Sequence, residues 1–186
     1  MEFSQIVRFL KEGKIGVIPT DTIYGLIGSA FNPHTVEEIY KLRKRVKDKP
    51  MIILISSIDD LKKFDIKLTD IQRDFLKKNW PNPLSVVLSC KVQRFSYLHR
   101  GTNTLAFRMP KDTKLLNILR EAGPVVAPSA NLEGKKHATN INQARKYFGD
   151  KVSFYLDGGY RESKPSTIVA FDNNLVKILR RGIFKI

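Results

Sequence analysis

Residues 18–55, IPTDTIYGLIGSAFNPHTVEEIYKLRKRVKDKPMIILI, constrain the fold more than any other stretch of this chain. The stretch reads as a strand running into a loop rich in hydroxyls and punctuated by glycines. A helix with a basic last turn and a second buried strand follow. In Pro19-Thr20-Asp21-Thr22, two hydroxyls and a carboxylate follow a residue of fixed φ, and Gly25 and Gly28 allow backbone to approach a ligand without a Cβ in the way. The helix is predicted to open on Thr35-x-x-Glu38 as a capping box. Lys41, Arg43, Lys44, Arg45, Lys47 and Lys49 crowd its end, more cations than a helix dipole calls for. A hydroxyl-lined hollow beside such a cluster suits an anion. Arginine grips phosphate through a planar fork and lysine supplies a point charge.

The 186 residues suit one domain, 1–186, with apolar residues at 42% and charged residues at 27%. An excess of 33 Lys and Arg over 18 Asp and Glu gives a net charge of +15, which points to an anionic partner such as a nucleotide, nucleic acid or membrane surface. The single cysteine, Cys90, excludes an internal disulfide and a thiolate cluster, and a buried, inert thiol is expected there. The opening MEFSQIVRFLKEGK lacks the continuous apolar core of a signal peptide. No run approaches the roughly 20 residues of a membrane span, so a cytoplasmic protein without membrane partners is expected.

Periodicity predicts a helix over 2–12, a strand over 14–19 and a strand over 51–55. A short helix starts at Ser57, and Thr69-x-x-Gln72 caps another whose apolar side is Ile71, Phe75 and Leu76. Trp80-Pro81-Asn82-Pro83 ends that helix. Strands are expected at Leu84–Ser89 and Thr104–Arg108, separated by a polar loop over 91–103. A helix over 114–121 closes at Gly123, and a strand over 125–127 leads into Ser129-Ala130-Asn131. A mobile basic segment over 132–140, a helix at about 142–148 and strands over 153–156, 167–170 and 176–179 complete the reading. The alternation indicates an α/β fold with a mixed sheet, whose ligands sit outside the carboxyl ends of strands. Arg108 and Ser129 fall at such ends. His34, His99 and His137 are isolated and read as surface histidines, so no metal site is expected from the residues themselves.

The motifs Pro19-Thr-Asp-Thr-x-Tyr-Gly-Leu26, Arg43-x-Arg45 with Asp48-Lys-Pro50, Trp80-Pro-x-Pro83, Leu105-Ala-Phe-Arg108, Ser129-Ala-Asn131, Pro165-Ser-Thr167 and Leu179-Arg-x-Gly182 follow one another in order. In that order and spacing, over nearly the whole chain, the sequence resembles the YrdC-type threonylcarbamoyl-AMP synthases of the YrdC/YciO family, in their short single-domain form. The resemblance implies a single-domain twisted mixed sheet with flanking helices and a basic concave ligand face. It also implies formation of L-threonylcarbamoyladenylate and pyrophosphate from L-threonine, bicarbonate and ATP with Mg2+. The product serves the tRNA modification at the adenosine beside the anticodon and passes to a downstream threonylcarbamoyl transferase complex.

By that resemblance Thr22, Arg108, Ser129 and Ser166 hold threonine. Arg43, Arg45, Lys49, Thr104, Asn131, Thr139 and Arg180 hold ATP. No catalytic base is identified. The chain departs from the family pattern at Arg43-Lys44-Arg45-Val46, which lacks the usual proline, at Leu54, where some relatives have histidine, and at Glu133-Gly-Lys-Lys-His-Ala-Thr139. Two other readings stand beside it. One is a non-catalytic protein that binds tRNA or double-stranded RNA. The other is the related carbamoyl chemistry of hydrogenase maturation factors, for whose zinc-binding and acylphosphatase-like parts this chain, with Cys90 alone, has neither the room nor the cysteines.

Overall fold

A computed structural model describes residues 1–186. Its strands in chain order are β1 (Gly16–Pro19), β2 (Tyr24–Ser29), β3 (Ile52–Leu54), β4 (Leu84–Ser89), β5 (Thr104–Arg108), β6 (Val125–Val126), β7 (Phe154–Tyr155), β8 (Thr167–Asp172) and β9 (Leu175–Arg180). They form one sheet in the order β7-β1-β2-β6-β3-β5-β4-β8-β9. The pairs β1/β7, β3/β5 and β4/β8 are parallel and the remaining neighbours antiparallel, so the sheet is mixed. The helices are α1 (Phe3–Lys11), α2 (Pro33–Arg43), α3 (Asp70–Asn79), α4 (Ser96–His99), α5 (Thr113–Ala122) and α6 (Ile141–Phe148). None is long and apolar enough to cross a membrane.

Two cores form because consecutive strand residues point to opposite faces. Val17, Leu26, Ile53 and Val126 join a large cluster with Val36 and Ile39 of α2 and Leu76 of α3. Their neighbours Ile18, Ile27, Leu54 and Val125 join a smaller cluster with Ile6 and Leu10 of α1 and Leu115, Ile118 and Leu119 of α5. Each such side chain stabilises the fold by about 1.5–3 kcal/mol when fully buried. In β4 only Leu84, Val86 and Leu88 enter a core, so the β4–β8–β9 end of the sheet leaves one face less covered. Cys90 is buried and its thiol pKa is pushed up by burial, as expected of an inert thiol.

The structure corrects several local readings. Asn32, not Thr35, caps α2: its side chain accepts from Thr35 N, with Pro33 at the helix start, and the Thr35 hydroxyl donates to Gly13 O at 2.7 Å. The helix stops at Lys44, whose φ of 51° is left-handed, so Arg45, Lys47 and Lys49 lie in the loop beyond it. Gly25 and Gly28 sit in strand β2 rather than in a loop. A Cβ at Gly28 would meet Ile39 Cδ1 at 3.1 Å and Thr35 Cγ2 closer still, so this glycine lets α2 lie on the sheet. The stretch 91–103 contains a 3-10 turn at Gln93–Phe95 and α4, pinned by buried Phe95 and Leu98. Ile71 is 49% exposed and is not on the packed side of α3, and His99 is buried rather than on the surface.

Candidate ligand cleft

The turn from β1 to β2 is built on hydroxyls. Thr20 Oγ1 donates to Ile23 O at 2.7 Å, accepts from Thr22 N at 3.2 Å and lies 3.1 Å from Thr22 Oγ1. Arg108, the last residue of β5, reaches this turn from the middle of the sheet. Its Nη1 donates to Thr22 Oγ1 at 3.4 Å, its Nη2 donates to Thr20 Oγ1 at 3.5 Å, and Nη2 lies 3.2 Å from Asp21 Oδ1. Asp21 Oδ2 accepts from Lys111 N at 3.2 Å. Arg108 is 4% exposed, and burial holds its pKa below the ordinary arginine value while Asp21 opposes that shift. Asp21 therefore keeps the cation in place without occupying the space in front of it.

A second wall is the bend after β6. Leu26 N donates to Pro128 O at 2.9 Å and Ala130 N to Tyr24 O at 2.8 Å, which extends the pairing with β2 to the bend. Arg43 Nε donates to Asn131 O at 3.0 Å, and its Nη2 donates to Asn131 Oδ1 at 2.9 Å and Ser129 Oγ at 3.2 Å. Asn131 Nδ2 donates to Leu132 O and Lys135 O at 2.9 and 2.7 Å. The carboxamide is thus spent on shaping the loop and orienting Arg43. Burial first, and neighbouring Arg45 second, push the Arg43 pKa down to about 10. The guanidinium remains a cation at neutral pH.

A third wall comes from the β8–β9 end. Ser166, buried, lies 2.9 Å from Ser85 Oγ. Arg180 Nη2 donates to Ser166 O at 2.8 Å and to its hydroxyl at 3.2 Å. Burial, with Arg108 adding to it, holds the Arg180 pKa low, so these two arginines feel each other. Arg45 closes the mouth, its Nε and Nη2 donating to Lys49 O and Pro50 O at 3.1 and 3.2 Å. Lys135, Lys136 and His137 line the same cleft. The walls enclose about 370 Å³, within the range of small-molecule sites.

Of the site residues named from sequence, Thr22, Arg108, Ser129, Ser166, Arg43, Arg45, Asn131 and Arg180 line this cleft. Lys49, Thr104 and Thr139 do not. Lys49 Nζ is 3.3 Å from Glu133 Oε1, an ion pair across the rim. Thr104 opens β5 at the end away from Arg108, roughly 13 Å distant at about 3.3 Å per residue, and its hydroxyl donates to Thr102 Oγ1 at 3.2 Å. Thr139 gives its hydroxyl and backbone N–H to Gln143 Oε1 at 3.1 and 2.9 Å, an arrangement that steadies the start of α6. Ser166 and Arg180, assigned to different ligands from sequence, are bonded to each other.

The cleft also has residues missing from those assignments: Thr20, Tyr24, Lys135, Lys136 and His137. The spacing Thr20-x-Thr22 was a usable signal, since hydroxyls two residues apart in a turn can meet one guanidinium. Tyr24 stands in the motif of residues 19–26, but its partners are distant: its hydroxyl accepts from Gly158 N and donates to Gly159 O, both at 2.8 Å, across more than 130 residues.

Every charged side chain lining the cleft is cationic, namely Arg43, Arg45, Arg108, Lys135, Lys136 and Arg180, with His137 beside them. No carboxylate lines it, and no group of three or more His, Cys, Asp and Glu side chains is gathered anywhere. This donor set does not fit a Mg2+ ion held by protein ligands, which needs carboxylate or carbonyl oxygens. Such an ion would have to arrive on the phosphates of a ligand.

A mixed α/β sheet with a cleft lined by cations from two strand ends, a helix end and two loops defines an α/β domain with a basic cleft. The family model Sua5/yciO/yrdC, described as telomere recombination, matches residues 8–182, and the chain belongs to that family. It is 31% identical to the threonylcarbamoyl-AMP synthase of Bacillus subtilis over 97% of this chain and 53% of that protein. It is 29% identical to the threonylcarbamoyl-AMP synthase of Cellvibrio japonicus over 87% of this chain and 86% of that protein. The structure of Pyrococcus abyssi Sua5 complexed with L-threonine superposes with a TM-score of 0.89 at 30% identity, covering 98% of this chain and 55% of that one. Escherichia coli YciO shares the fold at a TM-score of 0.87 and 19% identity, over 98% of this chain and 90% of that chain. The chain thus spans about half the length of the Bacillus and Pyrococcus relatives.

Proposed function

We propose that this chain is a nucleotidyltransferase that joins L-threonine, bicarbonate and ATP into L-threonylcarbamoyladenylate and pyrophosphate, with loss of water. The observation that carries the reading is the cleft lining of six cations without a carboxylate. It suits a ligand with a carboxylate at one end and a polyphosphate at the other. The names of the Bacillus and Cellvibrio relatives and the L-threonine bound to the Pyrococcus protein support it.

Arg108, braced by Asp21 and the hydroxyls of Thr20 and Thr22, would pair with the amino-acid carboxylate, with Ser129 and Ser166 as nearby hydroxyl partners. Arg43, Arg45, Lys135 and Lys136 would face the phosphates, and Arg180 the junction between the two. In the reaction the threonine amine adds to the carbon of CO₂ derived from bicarbonate and loses a proton, giving a carbamate. A carbamate oxygen then attacks the α-phosphorus of ATP, the bond to the β-phosphate oxygen breaks, and pyrophosphate leaves with the electron pair. Fixed cations lower the cost of charge spreading over the phosphates, the usual source of catalysis in transfers at phosphorus. Mg2+ belongs to this scheme as the companion of ATP. The product is a reactive mixed anhydride, so a threonylcarbamoyl transferase acting on tRNA must consume it. Direct contact of this chain with tRNA belongs to the same proposal.

Pyrophosphate release is expected to need threonine and bicarbonate together, because the adenylated species is their carbamate. The check is a pyrophosphate assay in buffer stripped of CO₂, then restored with bicarbonate. Release at the same rate in stripped buffer would show simple amino-acid adenylation and sink the proposal.

A further inference from the structure

The loop from Arg45 to Lys49 brings one guanidinium to the cleft, and its place there depends on what holds the loop. Within it Arg45 Nε donates to Lys49 O at 3.1 Å and Lys49 N donates to Val46 O at 3.4 Å, while Arg45 Nη2 donates to Pro50 O, the next residue. Its ties to α2 are Arg45 N donating to Tyr40 O at 3.0 Å, the Tyr40 hydroxyl donating to Lys49 O at 3.0 Å, and the ion pair of Lys47 with Glu37. Every other hydrogen bond or ion pair of residues 45–49 ends on one side chain, Glu133. Its Oε2 accepts from Val46 N at 2.6 Å, and its Oε1 lies 3.3 Å from Lys49 Nζ. The backbone of the same residue grips the end of α2, Glu133 N donating to Arg43 O at 2.8 Å. Glu133 thus staples the loop that carries Arg45 to the segment after β6 that orients Arg43.

Glu133 does not itself line the cleft. The Val46 N–H first, and Lys49 after it, hold its pKa below the ordinary carboxylate value, so the side chain is an anion at neutral pH. Two roles for that anion predict opposite signs. As a bare charge at the rim of a basic cleft it weakens the binding of a polyanion. As a staple it strengthens binding, because a guanidinium helps only where it is held in register with its ligand. The bond to Val46 N is charge-assisted, about twice as strong as a neutral one, whereas a rim charge is screened by salt. The staple prevails. We propose that Glu133 is a positioning residue: it fixes the 45–49 loop so that Arg45 meets the nucleotide, and so raises the affinity for ATP although it carries the ligand's own sign of charge. This rests on the nucleotide reading above.

The test measures ATP and threonine binding to the full chain by isothermal titration, with pyrophosphate release giving kcat. E133A is expected to raise the Kd for ATP about 10-fold, the low end of what a hydrogen bond to a charged group is worth. The Kd for threonine, kcat at saturation and Tm should change little. E133Q keeps an acceptor for Val46 N–H and drops the charge, so its Kd for ATP should stay within about threefold of wild type. Amide exchange at Val46 should quicken in E133A and remain slow in E133Q. In the E133A background Arg45→Ala should cost clearly less than it does in wild type, because the arginine is already out of place. Tighter ATP binding in both E133A and E133Q would show a rim charge and overturn the staple. So would a wild-type Kd in E133A, or full additivity of E133A with Arg45→Ala. A several-degree fall in Tm with equal losses for both ligands would show a merely structural residue and overturn it as well. In each of these cases wild type still binds ATP and the functional reading stands. If wild type binds no ATP, both fall.

Discussion

Arg108→Ala is expected to reduce kcat/KM for threonine by about 1,000-fold, which corresponds to about 4 kcal/mol at 1.4 kcal/mol per factor of ten. The proposed carboxylate partner disappears, and so does the group that holds the Thr20 and Thr22 hydroxyls. The change also strands Asp21, whose side chain is 4% exposed and whose near cation is Arg108. Removing one member of a buried pair costs about 3–5 kcal/mol, enough to lower Tm by about 10 °C in a chain of this length. Loss of activity alone would therefore be ambiguous. The double variant Arg108→Met with Asp21→Asn separates the causes, since it removes both charges together. It should recover most of the Tm and none of the activity. Arg45→Ala should do the reverse of Arg108→Ala on the ligands, raising the KM for ATP far more than that for threonine. Isothermal titration with each ligand checks the split, and matching losses for both ligands in both variants would mean that the cleft is not divided in this way.

Local signals in the sequence were strong where a helix or strand has one buried stripe. Leu115, Leu116, Ile118 and Leu119 marked α5, and Thr69 with Gln72 marked the start of α3, where both halves of the capping box are formed. They failed where a residue serves a distant neighbour. Gly28 reads as a loop residue, yet it lies in β2 because α2 crosses above it. Thr35 and Glu38 have the spacing of a capping box, but the Thr35 hydroxyl is taken by Gly13 O, 22 residues away. The cleft followed the same rule. Arg108 and Ser129 were legible from their places at strand ends. The ion pair that draws Lys49 to Glu133 joins residues 84 apart, and the bonds that orient Arg43 join it to Asn131, 88 residues away. Pairing across such distances is set by sheet order, which no local window contains.

Gly182→Ala is the second substitution with a large expected effect, and it explains in physical terms why Leu179-Arg180-x-Gly182 ends in glycine. After β9 the chain folds back onto the start of β8: Gly182 N donates to Thr167 Oγ1 at 3.0 Å and Ile183 N to Pro165 O at 3.0 Å. A Cβ at 182 would lie 2.5 Å from Thr167 N and closer still to Pro165 O and the Ser166 carbonyl carbon. All three are backbone atoms, so no side chain can swing away. Nor can Thr167 N retreat freely, because it donates to Pro83 O at 3.0 Å at the start of the β4/β8 pairing. The chain must open between residues 165–167 and 180–182, and Arg180 would lose its bonds to Ser166. Overpacking of this kind costs about 1–3 kcal/mol, so Tm should fall by about 2–12 °C. Displacing Arg180 and Ser166 by about 1 Å should reduce kcat/KM about 100-fold. Gly134→Ala is the control, since a Cβ there meets nothing within 4 Å and only the φ of +78° is unfavourable. It should lower Tm by a few degrees and leave the bonds from Arg180 to Ser166 intact. A Gly182→Ala protein that melts and turns over like wild type would show that the fold-back onto β8 is loose, and that Arg180 does not depend on it for its place in the cleft.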